Sequence, residues 1–317
     1  MAGTMRDYAL NAQLSMAAYG TFDLSINSNV VLYLEALRDA DVGMSESQAR
    51  AFIGIDENNQ TIVDEGGQRI AGFEIIHHHP DDNSDGFSAT VFLSRETGEY
   101  YFAIRGTDPT DLFTDWVTNA QALFSGAARN QVVRLINYYL QLTTPQSSQA
   151  NQVRLVWDDI DGTYHYEKYL VNGLGTLVKA GNALNVTGHS LGGHLASALN
   201  KAFPQLNTAT SETYTYNGLG IGTGMDSFLN ELAPLYGISP DTTTLNADFD
   251  VENVIAEPGW DVAPNAFAAS AQLGNTDLVF IEEQPLQIPN HSISHLADSM
   301  AVYDLLATVD RSLAIEL

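Results

Sequence analysis

Residues Leu184-Asn185-Val186-Thr187 alternate apolar and polar as a buried strand does, while Gly193 to Phe203 reads as a helix stopped by Pro204. Between them lies Gly188-His189-Ser190-Leu191-Gly192. A strand that becomes a helix within five residues needs a sharp bend, and side chains at its flanks would collide. Gly188 and Gly192 remove those side chains, and Gly193 permits close packing. The residue left at the apex is Ser190. The helix start beyond it supplies N–H groups with no intrahelical partner, aimed where negative charge would develop. Ser190 is therefore a candidate nucleophile.

Composition narrows the class. The chain has 317 residues, 44% of them hydrophobic, enough for a large core. No run of about 18 apolar residues appears, so no membrane-spanning helix is expected. Met1 to Tyr8 lacks the basic-then-apolar pattern of a cleavable secretion signal. The absence of cysteine excludes disulfides, thiolate metal sites and a cysteine nucleophile. It fits a cytoplasmic protein, and equally one secreted without an N-terminal signal. The 39 acidic and 13 basic residues leave a net charge of -26, a field that repels nucleic acid and anionic membranes. Only 16% of residues are charged, so the acidity belongs to a globular surface rather than a disordered tail. Such a surface is compatible with halophilic adaptation and with structural calcium.

The first 50 residues read as helical. Tyr8, Leu10, Leu14 and Ala18 form one apolar face, and Val30, Val31, Leu34 and Leu37 another. Ser45 to Gln48 has capping-box spacing for a third helix. Strands follow at 72–77, 87–94 and 100–105. The intervening Pro80 to Gly86 is a strong turn signal. Asp81, Asn83, Asp85 and Gly86 match the start of an EF-hand loop, but its twelfth position is Phe92, where a bidentate glutamate is needed. A solvated hairpin turn is the better reading. His77, His78 and His79 alternate across a strand, so all three cannot ligate one ion. Residues 127–142 form the clearest amphipathic helix, with Val132, Leu135, Ile136, Tyr139 and Leu140 on one stripe. It is either a core helix or a lid presenting that stripe to lipid. Strands at 152–157, 213–216, 253–256 and 278–282 and helices at 225–235 and 294–307 complete the alternation. The expectation is one α/β domain over 1–317: a helical N-terminal extension over 1–65, and a catalytic core over 70–310 with a mostly parallel central sheet flanked by helices.

A G-x-S-x-G between strand and helix is the arrangement of the α/β-hydrolase fold, whose triad runs Ser, then Asp or Glu, then His along the chain. Three histidines follow Ser190. His194, four residues along the same helix, is poorly placed to turn back onto the hydroxyl. His291 and His295 precede the last helix; His291, after Pro289-Asn290, lies more surely in a loop and is preferred as the base. The orienting carboxylate is expected in the loop after the strand at 253–256. Asp261 is preferred there over Glu257, Asp248 and Asp250. For the oxyanion, Leu191 supplies one N–H. Thr107, after the strand ending Ile104-Arg105-Gly106, is the candidate second donor, with an ordinary loop threonine as the alternative.

These pieces together resemble the class 3 lipase family of α/β-hydrolases. The resemblance rests on Ile104-Arg105-Gly106-Thr107, Asp115-Trp116, Gly188-His189-Ser190-Leu191-Gly192-Gly193, Asp261-Val262-Ala263-Pro264 and the region from His291 to Tyr303, and covers about residues 70 to 310. The last of these looks like the histidine region of bacterial lipase-like proteins often attached to calcium-binding repeats. The family's histidine is commonly followed by Leu, which His295-Leu296 satisfies and His291-Ser292 does not. The resemblance implies hydrolysis of lipid or small esters, with Ser190, Asp261 and His291 as triad and Thr107 and Leu191 at the oxyanion hole. It implies no cofactor for the chemistry and a transient contact with a lipid interface. Phospholipase A1 or short-chain carboxylesterase activity is the enzymatic alternative; a calcium-dependent binding module on the same fold is the non-enzymatic one.

Overall fold

Strands that bury both faces alternate two apolar sets, and the central strands of this chain do so. In the computed structural model, which describes residues 4–39, 41–81, 86–106, 128–179, 183–206, 211–222, 224–244, 248–257, 270–281 and 292–309, Tyr101 and Ala103 face one layer while Phe102 and Ile104 face the other. The central sheet comprises β1 (Phe73–His79), β2 (Ala89–Ser94), β3 (Tyr100–Ile104), β6 (Leu184–His189), β7 (Thr213–Tyr216), β9 (Val251–Glu257) and β11 (Asn275–Phe280), side by side in that order. The first three pair antiparallel; from β3 onward every neighbour is parallel. The short strands β8 (Ile221–Gly222) and β10 (Ser270–Ala271) form a separate antiparallel pair. Parallel strands need crossovers, and helices on both faces provide cover. This is the α/β-hydrolase fold, and the observed strands match the expected ones closely.

On one face lie α1 (Met5–Ala17), α2 (Val30–Arg38), α3 (Glu46–Ile53) and α7 (Ile293–Val309). On the other lie α4 (Ala128–Thr143), α5 (Leu191–Ala202) and α6 (Gly224–Tyr236). The expected capping box is present at α3, where the Ser45 side chain accepts from Gln48 N and the Gln48 side chain accepts from Ser45 N. A second box, Thr4 with Asp7, starts α1. The helical N-terminal stretch packs on the sheet: Ser15 Oγ meets Thr187 Oγ1 at 2.6 Å, and Tyr216 donates to the Tyr8 carbonyl at 2.6 Å. Tyrosine hydroxyls also serve carboxylates here. Tyr8 donates to Glu252 and Asp277, Tyr101 to Glu99, and Tyr214 to Glu212.

Three sequence expectations resolve in the structure. Helix α4 is a core helix, since Val132, Leu135, Ile136 and Tyr139 are buried against the sheet; the lid reading of this segment falls. The strand expected at 152–157 is β4 (Gln149–Asp158), but it leaves the central sheet to pair antiparallel with β5 (Thr163–Asn172), which the alternation did not anticipate. At the turn after β1, the Asp81 carboxylate is engaged by the Arg105 guanidinium; Asn83 and Asp85 lie outside the described residues. Among the described residues no group of three or more His, Asp or Glu side chains gathers to hold a metal ion, and no helix is long and apolar enough to cross a membrane.

The histidine run alternates as its spacing requires. His77 and His79 face Tyr138 of α4, while His78 meets Thr90 Oγ1 at 2.9 Å and packs on Phe22 on the opposite face. Burial pushes the His78 imidazole from its ordinary 6.5 down to about 4, helped by the neighbouring His79, His77 and Arg105. Between those values the unfolded chain holds the proton and the folded one does not, so stability falls as pH drops from 6.5 toward 4. Replacing His78→Gln is expected to flatten that dependence by up to about 1.4 kcal/mol per pH unit. Urea denaturation from pH 7 to 5 checks it, and an unchanged slope would assign the acid sensitivity elsewhere.

Candidate active site

β6 and α5 form the expected strand–turn–helix, with Ser190 between them. Ser190 adopts φ 56° and ψ -121°, a backbone region that L residues rarely occupy and that surrounding structure must impose. Here the imposition is visible. Ser190 N donates to the Tyr216 carbonyl at the end of β7 (3.0 Å), and the Ser190 carbonyl accepts from Gly193 N (3.0 Å), His194 N (3.3 Å) and Leu219 N (3.2 Å). Although Ser190 stands at the N-cap position, its side chain makes no capping hydrogen bond. In an ordinary helix that hydroxyl would serve the helix; here the backbone conformation withholds it.

The glycines do the steric work that the sequence suggests. A Cβ on Gly188 would run into the Gly192 carbonyl, and one on Gly192 into the Ile104 carbonyl of β3. On Gly193, a Cβ would lie 2.8 Å from Gly218 Cα and 3.1 Å from Thr215 Cβ. The helix start is thus wedged between the ends of β3 and β7. Its first turn carries no acidic side chain, so the positive end of the helix dipole is not offset there. Leu191 is the first helical residue, a position whose N–H has no intrahelical acceptor.

Support beneath the serine comes from residues that sequence reading did not single out. His189 points to the α1 side of the sheet, where its Nδ1 meets Tyr19 Oη at 2.7 Å. Gly106, just past β3, lies over the same spot: a Cβ there would stand 2.5 Å from both the His189 carbonyl and Tyr19 Oη, and 3.3 Å from Ser190 Cβ. At the end of β7, Asn217 (φ 45°) clamps β9, donating its N–H to the Val254 carbonyl (2.8 Å) and accepting from Ala256 N (2.9 Å). Tyr19 is 170 residues from His189, and no local sequence signal links them. Asn217 was readable only as a polar residue after a strand.

The predicted partners divide. His194 is buried with Nδ1 3.0 Å from the Gly220 carbonyl, and burial lowers its proton affinity despite that contact. It is directed away from the base role, as its helical spacing suggested. His295 is half-buried in the first turn of α7. Of the rival carboxylates, Glu257 ends β9 exposed, and Asp248 and Asp250 precede that strand, at its opposite end. Thr107, Asp261 and His291 lie outside the described residues. Their described neighbours are Gly106 against Ser190, Glu257 at the end of β9, and Ser292 before α7. The registers Ile104↔Gly188 and His189↔Tyr216↔Val254 put the ends of β3, β6, β7 and β9 at one sheet edge. Ligands of open parallel sheets gather at such an edge.

No known family profile matches the chain, and no curated protein matches it in sequence. Its backbone has loose likenesses among solved structures. A lipase from Rhizopus microsporus var. chinensis is 13% identical with a TM-score of 0.44, covering 90% of this chain and 78% of that one. The Rhizomucor miehei lipase propeptide complex is 12% identical with a TM-score of 0.45, covering 89% and 71%. Lip2 lipase from Yarrowia lipolytica is 15% identical with a TM-score of 0.41, covering 88% and 79%. Likenesses at this level carry no inference about the chemistry of this chain.

The crowding at Gly106 has a measurable consequence. Gly106→Ala is expected to cost about 1–3 kcal/mol through forced overpacking. Gly222→Ala, whose Cβ meets nothing within 4 Å, should stay within about 0.5 kcal/mol of wild type. Equal urea midpoints for the two variants would show that the elbow is not packed as described.

Proposed function

We propose that this chain is a serine-dependent carboxylic ester hydrolase acting on lipid esters, with Ser190 as nucleophile. The observation that carries the reading is Ser190 itself: a positive-φ residue at the end of a central parallel strand, its hydroxyl not used to cap the helix it precedes. Nothing in folding alone favours a serine in that strained conformation. A hydroxyl presented at a helix N-terminus gains an electrostatic environment suited to a transient oxyanion.

In this reading His291 takes the Ser190 proton as the hydroxyl attacks the ester carbonyl, and Asp261 holds the imidazole and its developing charge. The N–H groups of Leu191 and Thr107 receive the oxyanion. The imidazolium then protonates the departing alcohol, and water, deprotonated by the same imidazole, releases the acyl group. The reaction as written uses only side chains and backbone amides. Support for a histidine from beyond α5 comes by exclusion, since His189 and His194 are both directed to structural contacts.

Ser190→Ala is expected to abolish both ester hydrolysis and covalent labelling by a serine-reactive phosphonate, with circular dichroism unchanged. Turnover that persists at the wild-type rate would refute the proposal. His291→Ala and His295→Ala, assayed side by side, name the base: the true one should cost about 10⁴-fold or more in kcat, the other little. A series of triacylglycerol, phospholipid and short-chain ester substrates then assigns the head-group preference.

A further inference from the structure

Near its tip the hairpin of β4 and β5 makes one face apolar and the other largely polar. Cross-strand partners on one face are Leu155 with Tyr166 and Trp157 with Tyr164; on the other they are Arg154 with Glu167, Val156 with His165 and Asp158 with Thr163. Toward the protein the apolar stripe is anchored, because Tyr166 packs on Phe228 of α6 with ring centroids 5.8 Å apart. Outward it runs into solvent: Trp157 is 48% exposed, Tyr164 66%, and Ile160 at the turn 93%. Three cross-strand pairs lie beyond Leu155 and Tyr166, a projection of about 10 Å before the turn.

This exposure is held in place. The hairpin base is fastened by Asn137 of α4, which donates to the Val153 carbonyl at 2.8 Å and accepts from its N–H at 2.9 Å. Asn151 donates to the Tyr236 carbonyl of α6 at 2.6 Å. At the far end Asp158 caps the turn, accepting from Ile160 N at 2.7 Å, and Gly162 N returns to the Asp158 carbonyl at 2.9 Å. Trp157 and Tyr164 meet edge to face, their ring centroids 4.9 Å apart. An isolated large apolar side chain on a surface is ordinary; a preformed aromatic cluster ending in a fully presented isoleucine marks a contact surface.

From this geometry we infer that the hairpin tip is an anchor that inserts into a neutral or zwitterionic lipid surface. Trp and Tyr, apolar with one polar edge, favour the boundary between headgroups and acyl chains, and Ile160 extends past them. Charge selects the kind of surface. The tip carries Asp158, Asp159 and Asp161, and the whole chain a charge of -26, so anionic bilayers repel it. The choice of lipid as occupant rests in part on the ester-hydrolase reading of Ser190. The anchor takes the place of α4, whose apolar stripe is spent on the core.

The test uses the Ser190→Ala chain, so that vesicles stay intact, with phosphatidylcholine vesicles and with vesicles containing added phosphatidylglycerol. Cosedimentation should show binding to the zwitterionic vesicles that weakens as anionic lipid is added. Trp157→Ser combined with Ile160→Ser should lower the partition at least tenfold, with circular dichroism unchanged. The conservative pair Trp157→Phe and Ile160→Val should retain it, as should Glu167→Gln on the polar face. In the otherwise wild-type chain, the tip variants should leave turnover of a water-soluble ester unchanged while lowering turnover on vesicles. Absence of turnover on any ester would sink the hydrolase reading alone, because vesicle binding is read without it. Equal binding by the parent and serine-tip chains overturns the anchor. So does an absence of vesicle binding, including the case where the tip instead drives a concentration-dependent dimer that the serine variants abolish.

Discussion

The close approach of α5 to the ends of β3 and β7 is the constraint on which the rest of the molecule depends. Backbone meets backbone there, with Gly192 against the Ile104 carbonyl and Gly193 against Gly218. No side chain can intervene, so the strand-to-helix change is completed at Ser190, which takes up the unfavourable φ. The local cost, on the order of 1–3 kcal/mol for such a conformation, is offset by hydrogen bonds on both sides of the serine and by a helix all of whose residues are buried. Strain and fixity have the same origin: the apex residue has no room to relax.

That fixity is completed from below by the N-terminal helix. Residues that read as a preceding helical stretch lie under the sheet, where Ser15 meets Thr187 and Tyr19 meets His189. His189 is one of the two unspecified positions of the G-x-S-x-G pentapeptide, and its ring meets Tyr19, 170 residues away in the chain. Helices α4, α5 and α6 pack apolar side chains on one face of the sheet. On the other face α1 does the same, and Ser15 and Tyr19 add polar contacts behind Ser190.

Local patterns carried most of what the sequence revealed. Strand β7 was legible residue for residue because Thr213 to Tyr216 is short, β-prone and flanked by breakers, and the Ser45 capping box announced α3. The elbow was legible because its glycines answer a steric demand made within five residues. What was not legible depends on distance. The amphipathic stripe of α4 looks the same whether it faces a sheet or a membrane; the sheet that covers it is assembled from strands on either side in the sequence. Strand β4 was legible, but its partner β5 escaped because it is largely solvent-exposed, so the burial that shapes a core strand's pattern is missing. Ser190 lies at the strand-to-helix bend and Leu191 at the helix start, as the pattern required, and the buried contact of His194 agrees with its helical spacing. The contacts of Tyr19, Gly106 and Asn217 arise only once the sheet is formed.

The phenols beneath the sheet bear on how the fold responds to dissolved salt. With three acids for every base, this chain has too few cations to pair its carboxylates, and the hydroxyls of Tyr8, Tyr101 and Tyr214 donate hydrogen bonds to Glu252, Asp277, Glu99 and Glu212 instead. A neutral donor owes little to long-range attraction, so dissolved ions do not dissolve the bond. Those same ions do quiet the mutual repulsion of the remaining acidic surface. Electrolyte therefore acts on the acidic exterior and leaves the interior polar ties in place.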